Sequence, residues 1–260
     1  MPESPILQMA PMQCCAVAPR PFAEGVLAFG VPAVDHCLKG GLRRDGVHEF
    51  YAMPASQGKV GEVGAAAAMA LLLGAQACAE ERPLMWLRVA RGKAGRHPYA
   101  PGLAELGINP GAVLLMELPD LDALLIAGVE SVRHGGFGAV VLEVAGRAPR
   151  LDLTASRRLA LAAARSGTTV LLVRSDATPT SSAAHSRWEV ASAPSAPLAA
   201  NAPGHPVFDL RLLRQRGGPD GLHMQLEWNR EQAAFRTPLS GGAPAVPVGG
   251  AEDRQRHRAA

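Results

Sequence analysis

The sequence predicts an α/β protein: a mostly parallel sheet flanked by helices, closed by a C-terminal antiparallel hairpin. Three observations carry the architecture. Between about Leu27 and Pro238 short apolar runs alternate with helical segments, as strand–helix–strand crossovers do. The run Ala139–Val144 is apolar at nearly every position, the mark of a strand covered on both faces. Past Arg187 the period becomes two, with Phe208, Leu210 and Leu212, then Leu222, Met224, Leu226 and Trp228, on one side of their segments.

The elements follow in order. Val47–Tyr51 reads as a strand, and the Ala/Leu-rich stretch Gly61–Glu80 as a helix long enough to cover a sheet. Leu84–Val89 is a second strand, and Tyr99–Leu106 a short helix closed by Gly107. Val113–Glu117 is a third strand. Asp120 suits the N-cap of a helix over Leu121–His134, with Leu121, Leu124, Leu125 and Val129 on one face and Gly135-Gly136 at its end. Leu153–Ser166 is a further helix, Leu159 and Ala163 inward, Arg157, Arg158 and Arg165 solvated, and Thr169–Val173 is the last parallel strand expected. Ser175–Ser182 and Ala191–Pro206 read as loops, and Gly217–Gly221 as the turn joining two antiparallel strands. Trp86 and Trp228 are expected in the core, and Trp188 against a loop.

Length and composition bound the rest. The chain of 260 residues suits one large domain or two small ones, and no linker divides it. A domain over 26–238 is expected, between a flexible arm at 1–25 and a flexible basic tail at 239–260. Of 26 basic residues three are lysine (Lys39, Lys59, Lys93) and the other 23 arginine. With so much alanine, glycine and proline, that skew points to coding bias rather than to nucleic-acid binding. No run of about 18 apolar residues is present and no secretory leader is expected, so the reading is cytoplasmic with no membrane partner. Cys14, Cys15, Cys37 and Cys78 have no metal-ligand spacing and suit reduced thiols; His48 and His97 are lone histidines, and no metal is expected.

In such sheets ligands bind at the carboxyl ends of strands. The segment after the first strand reads Ala52-Met53-Pro54-Ala55-Ser56-Gln57-Gly58-Lys59-Val60-Gly61. A phosphate loop needs glycines that expose backbone N–H groups, a lysine for the terminal phosphates and a hydroxyl for magnesium. Against GxxxxGK[ST], Gly58 and Lys59 fit, Met53 replaces the first glycine and Val60 the hydroxyl residue. The dipeptide suits either a degenerate phosphate loop or an ordinary strand–helix turn. Glu143 suits either a magnesium-holding carboxylate or a strand-end glutamate at the edge of the sheet. The loop Ala90–His97 holds no carboxylate to activate water. The scaffold is that of a nucleotide hydrolase with its parts missing, and neither ATP nor magnesium is expected as a cofactor.

From Val31 to Tyr51 (VPAVDHCLKGGLRRDGVHEFY) the chain resembles the segment that leads into the phosphate loop of RecA proteins. Tyr99-Ala100, Leu103, Leu106–Asn109, Val113–Met116 and Pro119-Asp120 resemble the RecA stretch before its second acidic strand. Leu151–Leu159 and the paired elements around Trp188 and Leu210–Trp228 are similar to the ImuA branch of that family. The resemblance spans about Val26 to Arg236 and rests on ordered agreement. It implies that Lys59 matches the phosphate-loop lysine, Glu143 the magnesium-linked acid, Arg91 the neighbourhood of a catalytic glutamate and Ser175 a nucleotide-sensing glutamine. It also implies an accessory, non-catalytic role in the SOS response to DNA damage and translesion synthesis. The partners implied are an ImuB-like protein, an error-prone C-family DNA polymerase and RecA.

Two other readings stay open: an active DNA-dependent ATPase or recombinase resting on Gly58, Lys59 and Glu143, and a cell-division inhibitor of the SulA kind. Arg211, Arg214 and Arg216 are candidates for a basic strip making weak DNA contact. Arg254, Arg256 and Arg258 suit a partner-binding segment or a solvated tail.

Overall fold

A computed structural model describes residues 25–53, 63–78, 82–90, 98–218 and 220–238. The N-terminal arm to residue 24 and the tail from 239 lie outside the described residues. Strand β1 (Val26–Leu27), helix α1 (Pro32–Cys37) and strand β2 (Leu42–Arg43) come first, β1 and β2 pairing antiparallel. Then follow β3 (Val47–Ala52), α2 (Val63–Ala77), β4 (Leu84–Val89), α3 (Ala100–Glu105), β5 (Val113–Leu118), α4 (Leu121–His134), β6 (Ala139–Ala145), α5 (Leu153–Ser166) and β7 (Thr169–Ser175). The strands β8 (Ser186–Ala193), β9 (Val207–Gln215), β10 (His223–Asn229) and β11 (Ala234–Arg236) complete the order.

Nine strands form one sheet in the order β11-β10-β9-β8-β3-β7-β6-β4-β5. Pairing is parallel from β8 to β5 and antiparallel from β8 to β11. The expected α/β architecture is present, with two corrections. Thr169–Val173 is not the last parallel strand: β8 pairs in parallel with β3, and Ala191–Ala193 belong to it rather than to a loop. The antiparallel part is also larger than a hairpin, since β8 and β11 flank β9 and β10. Ser186-Arg187-Trp188-Glu189-Val190 hides its strand character because polar side chains alternate with only two large apolar ones. Trp188, expected beside a loop, is fully buried.

The sheet is packed on two sides. One core joins Phe50, Trp86, Val141, Leu171, Val173, Trp188 and Val190 with Met69, Leu72 and Leu73 of α2. The other joins Met85, Leu87, Val140, Leu142, Val170 and Leu172 with Leu124 and Val132 of α4 and Leu159 and Ala163 of α5. Alternate residues of β4, β6 and β7 enter opposite cores, so these runs are apolar throughout. Gly128 sets how close α4 lies, because a Cβ there would stand 2.7 Å from Leu142 Cδ2. Asp120 caps α4 by accepting from Ala123 N (2.9 Å), and Asp152 caps α5 by accepting from Ala155 N (2.8 Å). Both helices stop at a left-handed glycine, Gly135 (φ +71°) and Gly167 (φ +68°).

The antiparallel strands are covered on the α2 side by the N-terminal segment. Phe29 stacks between Trp188 and Phe235, centroids 5.9 and 6.0 Å away, and Phe235 meets Trp228 at 4.8 Å. The Asp35 carboxylate holds that segment by accepting from Phe29 N (2.8 Å) and Gly30 N (2.9 Å). Trp228 Nε1 donates to the Leu106 carbonyl at 2.9 Å, docking the end of α3. No helix among the described residues is long and apolar enough to cross a membrane.

At the start of β3, polar side chains cross the core in one chain of hydrogen bonds. Trp188 Nε1 donates to Ser186 Oγ (2.8 Å), and Ser186 Oγ lies 2.7 Å from His48 Nδ1. His48 Nε2 faces the Arg43 carbonyl at 2.8 Å. A carbonyl only accepts, so Nε2 carries the proton, and Ser186 donates to Nδ1. The imidazole is fully buried, and burial pushes its pKa down to about 4. His48 is therefore a neutral core residue, in keeping with the absence of ligand-spaced partners in the sequence.

The unfolded chain takes up a proton at about pH 6.5 and the fold only near pH 4. The stability His48 contributes is thus complete above about pH 6.5 and is lost as pH falls toward 4. The loss is about 3 kcal/mol at ~1.4 kcal/mol per pH unit. Urea unfolding from pH 7.5 to 4 is expected to show that extra loss in the native chain relative to His48→Gln. Parallel pH profiles for the two proteins would refute the assignment.

Candidate functional site

The carboxyl ends of β3, β6, β7 and β4 form the edge where the fold places a ligand. Residues 54–62, which join β3 to α2, lie outside the described residues, and with them Gly58 and Lys59. Arg91, Arg254, Arg256 and Arg258 lie outside them as well. The described part of the edge contains Glu143 and Ser175. Ser175 ends β7 and is buried, its carbonyl accepting from Gly146 N at 2.7 Å. Glu143 is the fifth residue of β6 and half-buried.

The register gives Glu143 its surroundings. One row across the sheet reads Glu117 on β5, Arg88 on β4, Glu143 on β6, Val173 on β7, Phe50 on β3 and Trp188 on β8. In a parallel sheet, partners in register share a face, here the α2 face. Arg88 donates from Nε (2.9 Å) and Nη2 (2.5 Å) to Glu117 Oε1. The carboxylate in the position of a magnesium-linked acid thus has an arginine one strand away. A neighbouring cation weakens the negative potential that would draw a second, divalent one. No three His, Cys, Asp or Glu side chains among the described residues converge on a point where a metal could sit.

The opposite face of the same edge carries a buried charge pair that sequence reasoning missed. Arg187 Nε donates to Glu49 Oε2 at 2.7 Å, with side-chain exposures of 12% and 3%. The Arg187 guanidinium lies 5.7 Å from the centre of the Tyr51 ring, and its Nη2 donates to Ser182 Oγ at 3.0 Å. Arg174, alongside on β7, donates to the Gly146 carbonyl at 3.0 Å. Burial raises the Tyr51 phenol and lowers the Arg174 guanidinium. The arrangement ties β3 to β8 and holds the segment after β7 to the sheet. The signal in the sequence is one charge inside an otherwise apolar strand, as Glu49 is in VHEFYA, which demands a partner. Nothing local names Arg187, which is 138 residues away.

Of the hairpin arginines, Arg211 and Arg214 on β9 and Arg216 in the turn are exposed. The structure does not line them up as an unopposed strip. Arg211 stands in register between Glu189 and His223, and His223 pairs with Asp209. Arg214 is in register with Arg187 beside a bulge, and Arg216 Nη2 reaches the Ala183 carbonyl at 3.4 Å. Cys37 and Cys78 are free thiols. Burial pushes the Cys78 thiol up to about 11, which leaves it a poor nucleophile.

A parallel sheet with its first core strand between β7 and β8, extended by antiparallel strands, defines a RecA-like fold. Among solved structures the chain is similar to the crystal structure of the RadB recombinase, with a TM-score of 0.53 and 15% identity, covering 82% of this chain and 99% of that one. Protein ImuA of Caulobacter vibrioides, from strain NA1000 and from strain ATCC 19089, is 32% identical over 215 residues, 78% of this chain and 84% of the relative. The chain belongs to the ImuA family. No family model matches it.

Removing one partner of a buried ion pair leaves an uncompensated charge. Arg187→Ala is expected to lower the unfolding free energy by about 3–5 kcal/mol. The double change Glu49→Leu with Arg187→Met is expected to cost much less than the two single changes added together. Additive costs in urea titrations would show that the pair does not act as a unit.

Proposed function

We propose that this ImuA-family chain is an accessory, non-catalytic RecA-like protein of DNA-damage-induced mutagenesis. In this reading it acts within the SOS response and translesion synthesis, in the cytoplasm. It serves as a scaffold for an ImuB-like partner and an error-prone C-family polymerase, with RecA as a further contact. Its kinship to ImuA of Caulobacter vibrioides supports the placement in that cassette. The observation that carries the non-catalytic part is the row Glu117–Arg88–Glu143, where the carboxylate expected to serve magnesium neighbours a guanidinium instead. The sequence agrees: Met53 and Val60 stand where a phosphate loop has glycine and a hydroxyl. The mixed charges around Arg211 favour weak DNA contact at most.

The purified chain is expected to release no phosphate from ATP above background, with or without single-stranded DNA. Lys59→Ala and Glu143→Gln are expected to leave damage-induced mutation frequency within about twofold of the native protein, whereas deletion of the whole chain abolishes induction. DNA-stimulated hydrolysis that disappears in Lys59→Ala would establish the active ATPase reading instead.

A further inference from the structure

Helices α4 and α5 lie side by side on the sheet face opposite α2, and a groove of about 760 Å³ runs between them, continued by a smaller hollow of about 250 Å³. Two large apolar side chains stand in the open, Ile126 at 67% exposure on the wall of the groove and Leu161 at 60% on the wall of the hollow. Isolated exposed leucines are ordinary; here two large apolar side chains stand along a continuous depression whose walls carry Arg133, Arg150, Arg158 and Arg165 against Asp122, Glu130 and Asp152. Arg133 and Arg150 lie along it, paired with Glu130 (2.8 Å) and Asp122. Arg158 and Arg165 have no carboxylate partner among the described residues. Arg158, Leu161 and Arg165 are spaced by three and four residues, so they form one stripe along α5. The two arginines are about 10 Å apart along the helix axis at ~1.5 Å per residue.

We propose that this groove is the docking surface for an acidic amphipathic helix of a partner protein. The stripe dictates the occupant: apolar residues that pack on Leu161 and, along the groove, on Ile126, with carboxylates about two turns apart reaching Arg158 and Arg165. Exposed apolar walls with arginines at the rim suit helix-in-groove recognition. A nucleic acid suits the groove less well, because Ile126 and Leu161 offer phosphates nothing and an apolar side chain of a helix something to pack on. A second copy meeting this face with its own would bring the unpaired arginines together. The groove stands apart from the mutagenesis reading, and its test gives the same answer whatever the ATPase assay returns.

The test is selection of displayed 16-residue peptides on the full chain, followed by fluorescence anisotropy with the enriched peptide. Enrichment is expected of helical sequences bearing acid, apolar and acid residues at that spacing. Dissociation constants are expected to rise at least tenfold for Ile126→Asp and for Arg158→Glu with Arg165→Glu, and to stay unchanged for Arg211→Glu on β9. The doubly reversed protein is expected to regain binding to the peptide with lysine in place of its acids. Circular dichroism checks each fold, and Leu161→Ser replaces Ile126→Asp if the latter melts early. Failure to enrich any peptide, enrichment without acids, or indifference to the groove changes would overturn the proposal. So would oligothymidylate of 20 nucleotides displacing the peptide through the same arginines, or self-association in sedimentation abolished by Ile126→Asp.

Discussion

The molecule is organised around the burial of β3 on both faces between β7 and β8. A strand in that position must satisfy every polar group it carries, and β3 carries two that water cannot reach, His48 and Glu49. Each finds its partner on β8: His48 through Ser186, Glu49 through Arg187. The two contacts lie on opposite faces of the sheet and hold β3 and β8 in a single register, since a slip of one residue would send both polar groups into the wrong core. On that registered pair depend the antiparallel strands, the aromatic cluster around Phe29 and the segment following β7.

The same economy shapes the edge where a ligand would sit. Across one row the sheet alternates acid, base and acid, and then turns apolar at Val173, Phe50 and Trp188. Arg88 stands between the two carboxylates and is bonded to Glu117. It offsets one of the two carboxylates that flank it, so part of the charge along this row is balanced within the chain.

Much of this was legible in the sequence where one physical rule dominated. Continuous apolar runs gave away β4, β6 and β7, and Asp120, Gly107 and Gly135 marked helix ends because caps are local chemistry. Two-residue alternation exposed β9 and β10. The strand β8 escaped because Ser186, Arg187 and Glu189 read as loop residues unless their partners His48, Glu49 and Arg211 are already in place. Trp188 was misplaced for the same reason. The three-residue β11 is too short for any periodicity. At the site, Glu143 could be picked from its position at the end of an apolar run, but its neighbours Arg88 and Glu117 come from other strands, and only the register brings them together.

The strand order also governs how this protein can be made. β3 is complete by Ala52, yet its two neighbours in the sheet are β7 and β8, which end at Ser175 and Ala193. During synthesis the centre of the sheet waits for more than a hundred further residues before either side can be covered. Such long-range parallel pairing is slow to close, because the loop entropy is spent before the contacts form. Until then both edges of β3 lack their neighbours, so the nascent chain passes through a long interval with unpaired strand edges exposed.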